Sequence, residues 1–572
     1  QLGLNSGQNA NASTWSTDAI IAYRNLDNKG WTISQNGTPS MSDLEYTISN
    51  SGTSFTLRST GTVNYTVDWG DGSSLETSTS NTLAHTYSSS GTYVVKINSN
   101  SGAAPFIHYR PRFDESGDED QITSIAIGSE DSAEFSTNIE NAFRGAQNMT
   151  KYNQVAAATS AVTNFSRTWQ GCSGITTFPL IDITSATSFN ATWAQCSGFT
   201  DFPVLDFSNA TSISAAWNGC TGITTFPSID TSSVTNFTST WISCSGLTTF
   251  PVLDTSSGTT FDSTWNSCTG LTSFPQIDTS SATNLSSAWR VCSGLTSFPQ
   301  IDTSNVTNFT ATWRQCSGLT SFPALDTSSG TSFQNTWRQC SGITTFPVLN
   351  TSSGTNFFET WNGCSGLTSF PALDTSSGTD FGGAWLNCSG ITTFPSIDTS
   401  SGTNFRDAWN GCSGITTFPL INTSGGTTFQ GSWINCNGLI SFPALNTSSG
   451  TVFRSAWQNC SGITTFPSIN TSSATDFRNS WQNCSSLTTY PANQFNSTGT
   501  LISSAFNFSW VSCALTAQSI ENILTSLDTN GAQNITLGIH GGTNAAKTTW
   551  STAANTAYTN LINKGWTITF NS

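Results

Sequence analysis

Charged residues are scarce: Asp, Glu, Lys and Arg make up 9% of 572 residues. The 17 Lys and Arg are outnumbered by 33 Asp and Glu, and a net charge of −16 argues against a nucleic-acid-binding surface. No window approaches the roughly 20 unbroken apolar residues that a bilayer core requires, so no membrane-spanning helix is expected. No C-x-x-C pair occurs, and His85, His108 and His540 lie outside the regular repeat, which argues against zinc. Disorder is excluded by a 12% aromatic content that has to be buried somewhere. Residue 1 is Gln and no apolar leader follows, which reads as a processed or excised piece of something longer.

What is present is a repeat. Fourteen cysteines from Cys172 to Cys484 are spaced 24 residues apart, and Cys513 follows after 29. Each stands three residues after a Trp, from Trp169 to Trp481 and then Trp510. Fourteen of the 17 prolines, Pro179 to Pro491, follow an aromatic residue in an F-P or Y-P step. A fixed period of this size predicts a solenoid whose coils contact chiefly their neighbours. Phe405, Trp409 and Cys412 lie at i, i+4 and i+7, one face of a short helix, with Thr403 as N-cap and Gly414 as left-handed terminator. Ile415 to Ile421 reads as a short strand, with Phe418-Pro419 at its end because proline cannot donate to a ladder. The prediction is an α/β repeat solenoid with one short strand and one short helix per coil. Its inner ladder is formed by Trp169, Cys172, Phe178 and Pro179 in one coil and by Trp409, Cys412, Phe418 and Pro419 in another. The cysteines are predicted to be reduced, small buried hydrophobes beside Trp.

The C-S-G-L-T-S-F-P core followed by T-N-F-x-x-x-W resembles BspA-like leucine-rich repeats of bacterial and phage surface proteins, over about residues 120–513. The resemblance implies extracellular adhesion or display and supplies no catalytic residue. Upstream, Asp68-Trp69-Gly70-Asp71-Gly72, His85-Thr86-Tyr87 and Gly91-Thr92-Tyr93-Val94-Val95 are similar to polycystic-kidney-disease (PKD) domains, small Ig-like sandwiches. Residues 38–100 are assigned to that sandwich, 101–160 to an acidic insertion and a degenerate first coil, 161–513 to the solenoid and 514–572 to an α/β cap. Residues 1–37 form a partial cap homologous to 537–572: at a constant offset of 535, 20 of the 32 positions from 2 to 33 are identical. A half-cap without a solenoid before it points to one period of a tandem array.

Three chemistries are weighed. The [DN]-T-S-S ladder, Asp in nine coils from Asp182 to Asp398, could mimic paired glycosidase carboxylates, yet identical environments do not divide acid from base, and an Asx-turn explains Asp and Asn alike. Asp201, Asp262, Asp380 and Asp407 break the pattern without forming a pair. Asp114, Asp118, Glu119 and Asp120 in the acidic stretch are the candidate calcium ligands, although their spacing matches no EF-hand. No other cofactor is implied. Thr and Ser rows could present an ice-binding face, but a variable, Phe-interrupted surface suits glycans or proteins better. The predicted protein is thus an extracellular, non-enzymatic adhesin or fibre module on a cell surface, appendage or virion, with glycans, surface proteins or further copies as partners. The alternative is a tailspike-like polysaccharide depolymerase.

Overall fold

The computed structural model describes residues 2–4, 19, 21, 33–35, 44–58, 64–100, 118–127, 138–154 and 159–572. The chain divides into two compact units, 1–281 and 282–572, each treated by itself.

The first unit opens with a parallel pair, β1 (Leu2–Leu4) and β2 (Ile33–Gln35). A sandwich follows. Its larger sheet is built on β3 (Leu44–Ser51), β5 (Tyr65–Asp68), β6 (Glu76–Ser78) and β8 (Ser90–Ser99), and its smaller sheet on β4 (Ser54–Arg58) and β7 (Thr82–Thr86). Alternation of apolar and polar residues fills the space between the sheets: Tyr46, Ile48, Val67, Val95 and Ile97 point in from one, Phe55 and Leu57 from the other.

The larger sheet also takes in two strands from beyond residue 100. Strand β9 (Ile122–Ile127) pairs antiparallel with β3, and β10 (Lys151–Gln154) adds parallel to β9, so the larger sheet runs β10-β9-β3-β8-β5-β6. From β10, Tyr152 stacks on Phe178 at 5.7 Å and meets Trp169 edge-on at 5.2 Å. The sandwich sheet therefore closes the apolar end of the first coils, the service any solenoid end requires.

Within each coil the expected helix is replaced by consecutive turns. From Phe405 to Cys412 every backbone N–H is bonded, but alternately: Phe405, Asp407, Trp409 and Gly411 donate to Thr428, Gln430, Ser432 and Ile434 carbonyls of the next coil. Ala408, Asn410 and Cys412 bond three residues back, and Arg406 donates to Asn404 Oδ1. Asp407 (φ 53°) and Gly411 (φ 78°) are left-handed, which turns alternate peptide groups outward to the neighbour and breaks the i to i−4 pattern. The same two positions per coil are left-handed elsewhere, as at Ala191 and Gln195. The expected strand shrinks to single parallel bridges such as Thr417↔Ser441, because Pro419 ends the ladder.

Gly414 is also corrected. It is not left-handed; a Cβ there would sit 2.6 Å from Ser389 O and 2.7 Å from Ile391 O of the preceding coil. Glycine is required by close approach of two backbones.

The aromatic columns form the core. Trp169 to Trp265 stack at 5.4–5.8 Å with rings within 11° of parallel in the first unit. In the second, the column runs from Trp289 to Trp510 at 4.8–6.0 Å. The F-P phenyl rings meet them edge-on, as in Trp409–Phe418 at 5.0 Å and 81°, the arrangement that ring quadrupoles favour.

The second unit ends in a helix (Ala517–Asn530), β11 (Thr536–Ile539), a second helix (Thr552–Asn563) and β12 (Thr567–Phe570). Thr516 caps the first helix, and Gly531 at φ 81° ends it. Trp510 N donates to Gly538 O, Gly538 N to Phe506 O and Ala545 N to Leu515 O, so the cap continues the coil-to-coil bonding. The pairing Leu537↔Ile568 is repeated 535 residues earlier as Leu2↔Ile33.

Candidate functional site

The coil divides its residues into buried columns and exposed rows. Trp169, Cys172, Trp409 and Cys412 are fully buried, Phe178 and Phe418 nearly so, and Pro179 and Pro419 are half-buried at the rim. All fifteen cysteines are free and buried. The coil thiols donate to main-chain carbonyls of the coil before, as Cys412 Sγ does to Trp385 O and Cys388 Sγ to Trp361 O, each at 3.1 Å. Burial pushes Cys244, Cys364 and Cys484 up to about 12 and holds Cys196 and Cys220 well above the ordinary thiol range, so they are poor nucleophiles.

The exposed rows lie on either side of Phe-Pro. Before it, Thr248 Oγ1 donates to Thr224 O at 3.3 Å and Thr368 Oγ1 to Thr344 O at 3.4 Å, so hydroxyl protons of this row are engaged by the coil behind. After it stands an exposed, variable residue. In the first unit it is Leu180, Val204 and Val252, with 49%, 64% and 66% of their surface open, and Ser228 and Gln276 in the other coils; in the second, Val348 and Leu420 are 70% and 67% open among Gln, Ala and Ser. Large apolar side chains left this open, interspersed with Ser, Gln and Ala along the row, are where a partner gains most by covering them.

The Asp ladder carries no acid–base pair. Asp230 Oδ1 accepts from Ser232 N at 3.0 Å and Ser232 Oγ at 2.7 Å, and Asn350 Oδ1 accepts from the matching groups of Ser352. This is Asx-turn geometry. Hydrogen bonds from the Ser side chain and backbone hold Asp206, Asp278, Asp326 and Asp398 below the usual carboxylate range, the reverse of what a general acid needs. Asp262 accepts from Ser263, Asp380 from Gly382 and Asn404, and Asp407 pairs with Arg406; Asp201 is exposed.

Of the calcium candidates, Asp114 lies outside the described residues. Asp118, Glu119 and Asp120 fall in one 3-10 turn, Asp118–Gln121, and the Asp120 carboxylate accepts from Gln147 Nε2 at 2.7 Å. Among the described residues no cluster of three or more His, Cys, Asp or Glu is arranged to hold a metal ion.

In the sandwich, Asp71 Oδ1 accepts from Ser73 N and its Oδ2 meets His85 Nε2 at 2.8 Å; hydrogen bonding from the Ser73 side chain, then from His85, then from the Ser73 backbone lowers Asp71 to about 2. His85 stacks on Trp69 at 4.7 Å, and Trp69 Nε1 donates to Glu76. Gly70, at φ 76°, passes Val94 so closely that a Cβ would lie 2.5 Å from Val94 O. The W-G-D-G, H-x-Y and G-x-Y signatures thus meet in one corner. Residues 41–103 match the PKD domain family. The PKD domain is a small part of the chain, and its signature residues here build the domain's own corner.

No curated protein matches the chain. Among solved structures, a leucine rich cell surface protein from Faecalibacterium prausnitzii A2-165 aligns with 66% of this chain and 86% of its own, at 15% identity and a TM-score of 0.26. A TLR13–ssRNA13 complex aligns with 70% of this chain and 64% of its own, at 11% identity and a TM-score of 0.18. Neither likeness is close enough to carry an argument.

Sequence reasoning missed two features of the coil. The left-handed pair of positions has a signal, since Gly, Asn and Ser recur there, but Ala191, Gln195, Glu359 and Val291 blur it. The ion pair Arg338–Glu359 bridges two coils and leaves no trace in spacing within one coil.

Proposed function

We propose that the chain is an extracellular, non-enzymatic adhesion-type module that binds glycans or surface proteins through the row after Phe-Pro. The observation that carries this is the exposure of Leu180, Val204 and Val252 beside a constant hydroxyl row in the first unit, and of Val348 and Leu420 in the second. A constant scaffold with one variable, open position per coil is the pattern of a repeat binding surface. The PKD domain at 41–103 supports an extracellular setting. Among the described residues no helix is long and apolar enough to cross a membrane.

The reading extends to a tandem array: the chain serves as one module of a longer fibre or filament, in a cell-surface appendage or a phage tail fibre. Support comes from the cap segment that occurs twice and pairs its strands in one register, Leu2↔Ile33 and Leu537↔Ile568. Calcium at the acidic stretch has no further support.

The test is binding of the intact protein to arrays of glycans and surface extracts, beside a variant with Val204→Glu and Val252→Glu. Loss of binding with unchanged folding is the expected result. Undiminished binding by the variant refutes the assignment of the face, and release of reducing ends from a polysaccharide refutes the non-enzymatic reading.

A further inference from the structure

The coils of the second unit carry one row that the proposed binding face does not use. The residue after Trp is neutral in most coils, but three successive coils place Arg290, Arg314 and Arg338 there. Backbone bonds hold them in register: Val291 N donates to Arg314 O, and Gln315 N to Arg338 O, each at 2.7 Å. The Trp rings of the same coils repeat at 5.7–6.0 Å, so the three cations rise along the stack with about that interval.

This row is poorly compensated. Arg338 pairs with Glu359 of the next coil. Among the described residues neither Arg290 nor Arg314 has a carboxylate within ion-pair distance. The Nε atoms of all three are buried and have no hydrogen-bond partner. Burial, then repulsion from Arg338 and Arg290, lowers Arg314 below the usual guanidinium range. In a chain of net charge −16, two adjacent uncompensated cations are an exception to the general composition.

We infer that Arg290 and Arg314, with Arg338 at one end, form a binding row for an acidic polysaccharide whose carboxylate or sulfate groups lie along the coil axis. Guanidinium groups take such anions in two-point hydrogen bonds, and in this half-buried row the terminal nitrogens, not the buried Nε, are the ones placed to make them. Partly exposed Ser287, Gln315 and Gln339 on the same turns supply the neutral hydrogen-bonding groups that sugars use. Glu359 limits the site, since it neutralises Arg338 and repels an anion placed one coil further.

This row is separate from the residue after Phe-Pro, and its test leaves that face untouched. The intact protein is titrated with polygalacturonate and with dextran sulfate at low and moderate salt, with neutral dextran, inorganic sulfate and single-stranded DNA as comparisons. The expected result is binding of at least one acidic polysaccharide, none of dextran, and weakening by added salt. The Arg290→Gln/Arg314→Gln variant should bind about tenfold less well or worse, Arg290→Lys/Arg314→Lys should retain part of the affinity, and Arg454→Ala should change nothing. Unaltered intrinsic fluorescence of the Trp column certifies folding of each variant. Equal affinity of the Gln variant, binding of inorganic sulfate alone, or DNA bound as tightly as the polysaccharide overturns the inference.

Discussion

Gly414→Ala separates two accounts of the glycine that recurs in thirteen coils from Gly174 to Gly462. If the residue served only as a flexible link, alanine at its ordinary backbone angles would restrict the unfolded chain and stabilise by about 0.4–1 kcal/mol. The structure predicts the opposite sign. The new methyl carbon would lie 2.6 Å from Ser389 O and 2.7 Å from Ile391 O, and both obstacles are backbone carbonyls held by the stack. Neither can rotate aside, so the coils must part locally, loosening contacts in the columns at Trp385–Trp409 and Phe394–Phe418. Overpacking of this kind costs about 1–3 kcal/mol. Because coils are stabilised chiefly by their neighbours, the loss should concentrate at one interface and broaden the unfolding transition. The assay is urea unfolding followed by Trp fluorescence and far-ultraviolet dichroism together. A useful comparison is Gly426→Ala, whose methyl would meet the Phe429 ring edge at 2.5 Å, an obstacle that can move; other coils hold Ala186, Val306 and Ala474 there. Gly414→Ala should lower stability more than Gly426→Ala does. A Gly414→Ala protein as stable as the parent, or more so, refutes the close-approach argument.

Three further outcomes follow from the same geometry. The Asp71 carboxyl is held at about 2 against an ordinary 3.8, so its contribution to PKD-domain stability is present above pH 3.8 and lost as pH falls toward 2. Thermal unfolding of Asp71→Asn should therefore show a deficit at neutral pH that disappears in that window; a deficit independent of pH contradicts the assignment. Val291, among the described residues the one β-branched side chain in the left-handed region (φ 62°), should gain about 1 kcal/mol on replacement by Asn, the residue used at Asn387 and Asn435; loss of stability in urea unfolding would count against strain there. The buried thiols, with Cys244, Cys364 and Cys484 pushed up to about 12, should resist iodoacetamide in the folded protein at mildly alkaline pH and react fully in concentrated guanidinium without reductant. Mass spectrometry counts the adducts, and rapid labelling of folded protein would refute the burial argument.

The columns were readable because a residue that recurs every 24 positions must recur at one place in the coil. Trp409, Cys412 and Phe418 fall in the core on that ground alone. The helix was misread for a definite reason. Spacing of i, i+4 and i+7 records which side chains point inward, and a string of turns with left-handed residues at Asp407 and Gly411 points the same three inward without any helical hydrogen bond. The candidate rows divide in the same manner: the residue after Pro was visible as variable, whereas its exposure at Val204 or Val348 had to be measured.

By itself the sequence determined the period, the identity of the buried residues, the PKD signature and the segment repeated at an offset of 535, because each is a statement about residues at set intervals in one chain. Tertiary structure alone decided where the backbone bonds go. Phe405 N–H could have bonded within its own coil, and it reaches Thr428 O instead because the next coil lies against it. Neighbouring coils also decide why Gly414 has no side chain, why Tyr152 of the sandwich sheet stands under Phe178, and why Arg338 is neutralised while Arg314 is not. Those facts belong to pairs of coils brought together by folding, and no pattern read along a single coil contains them.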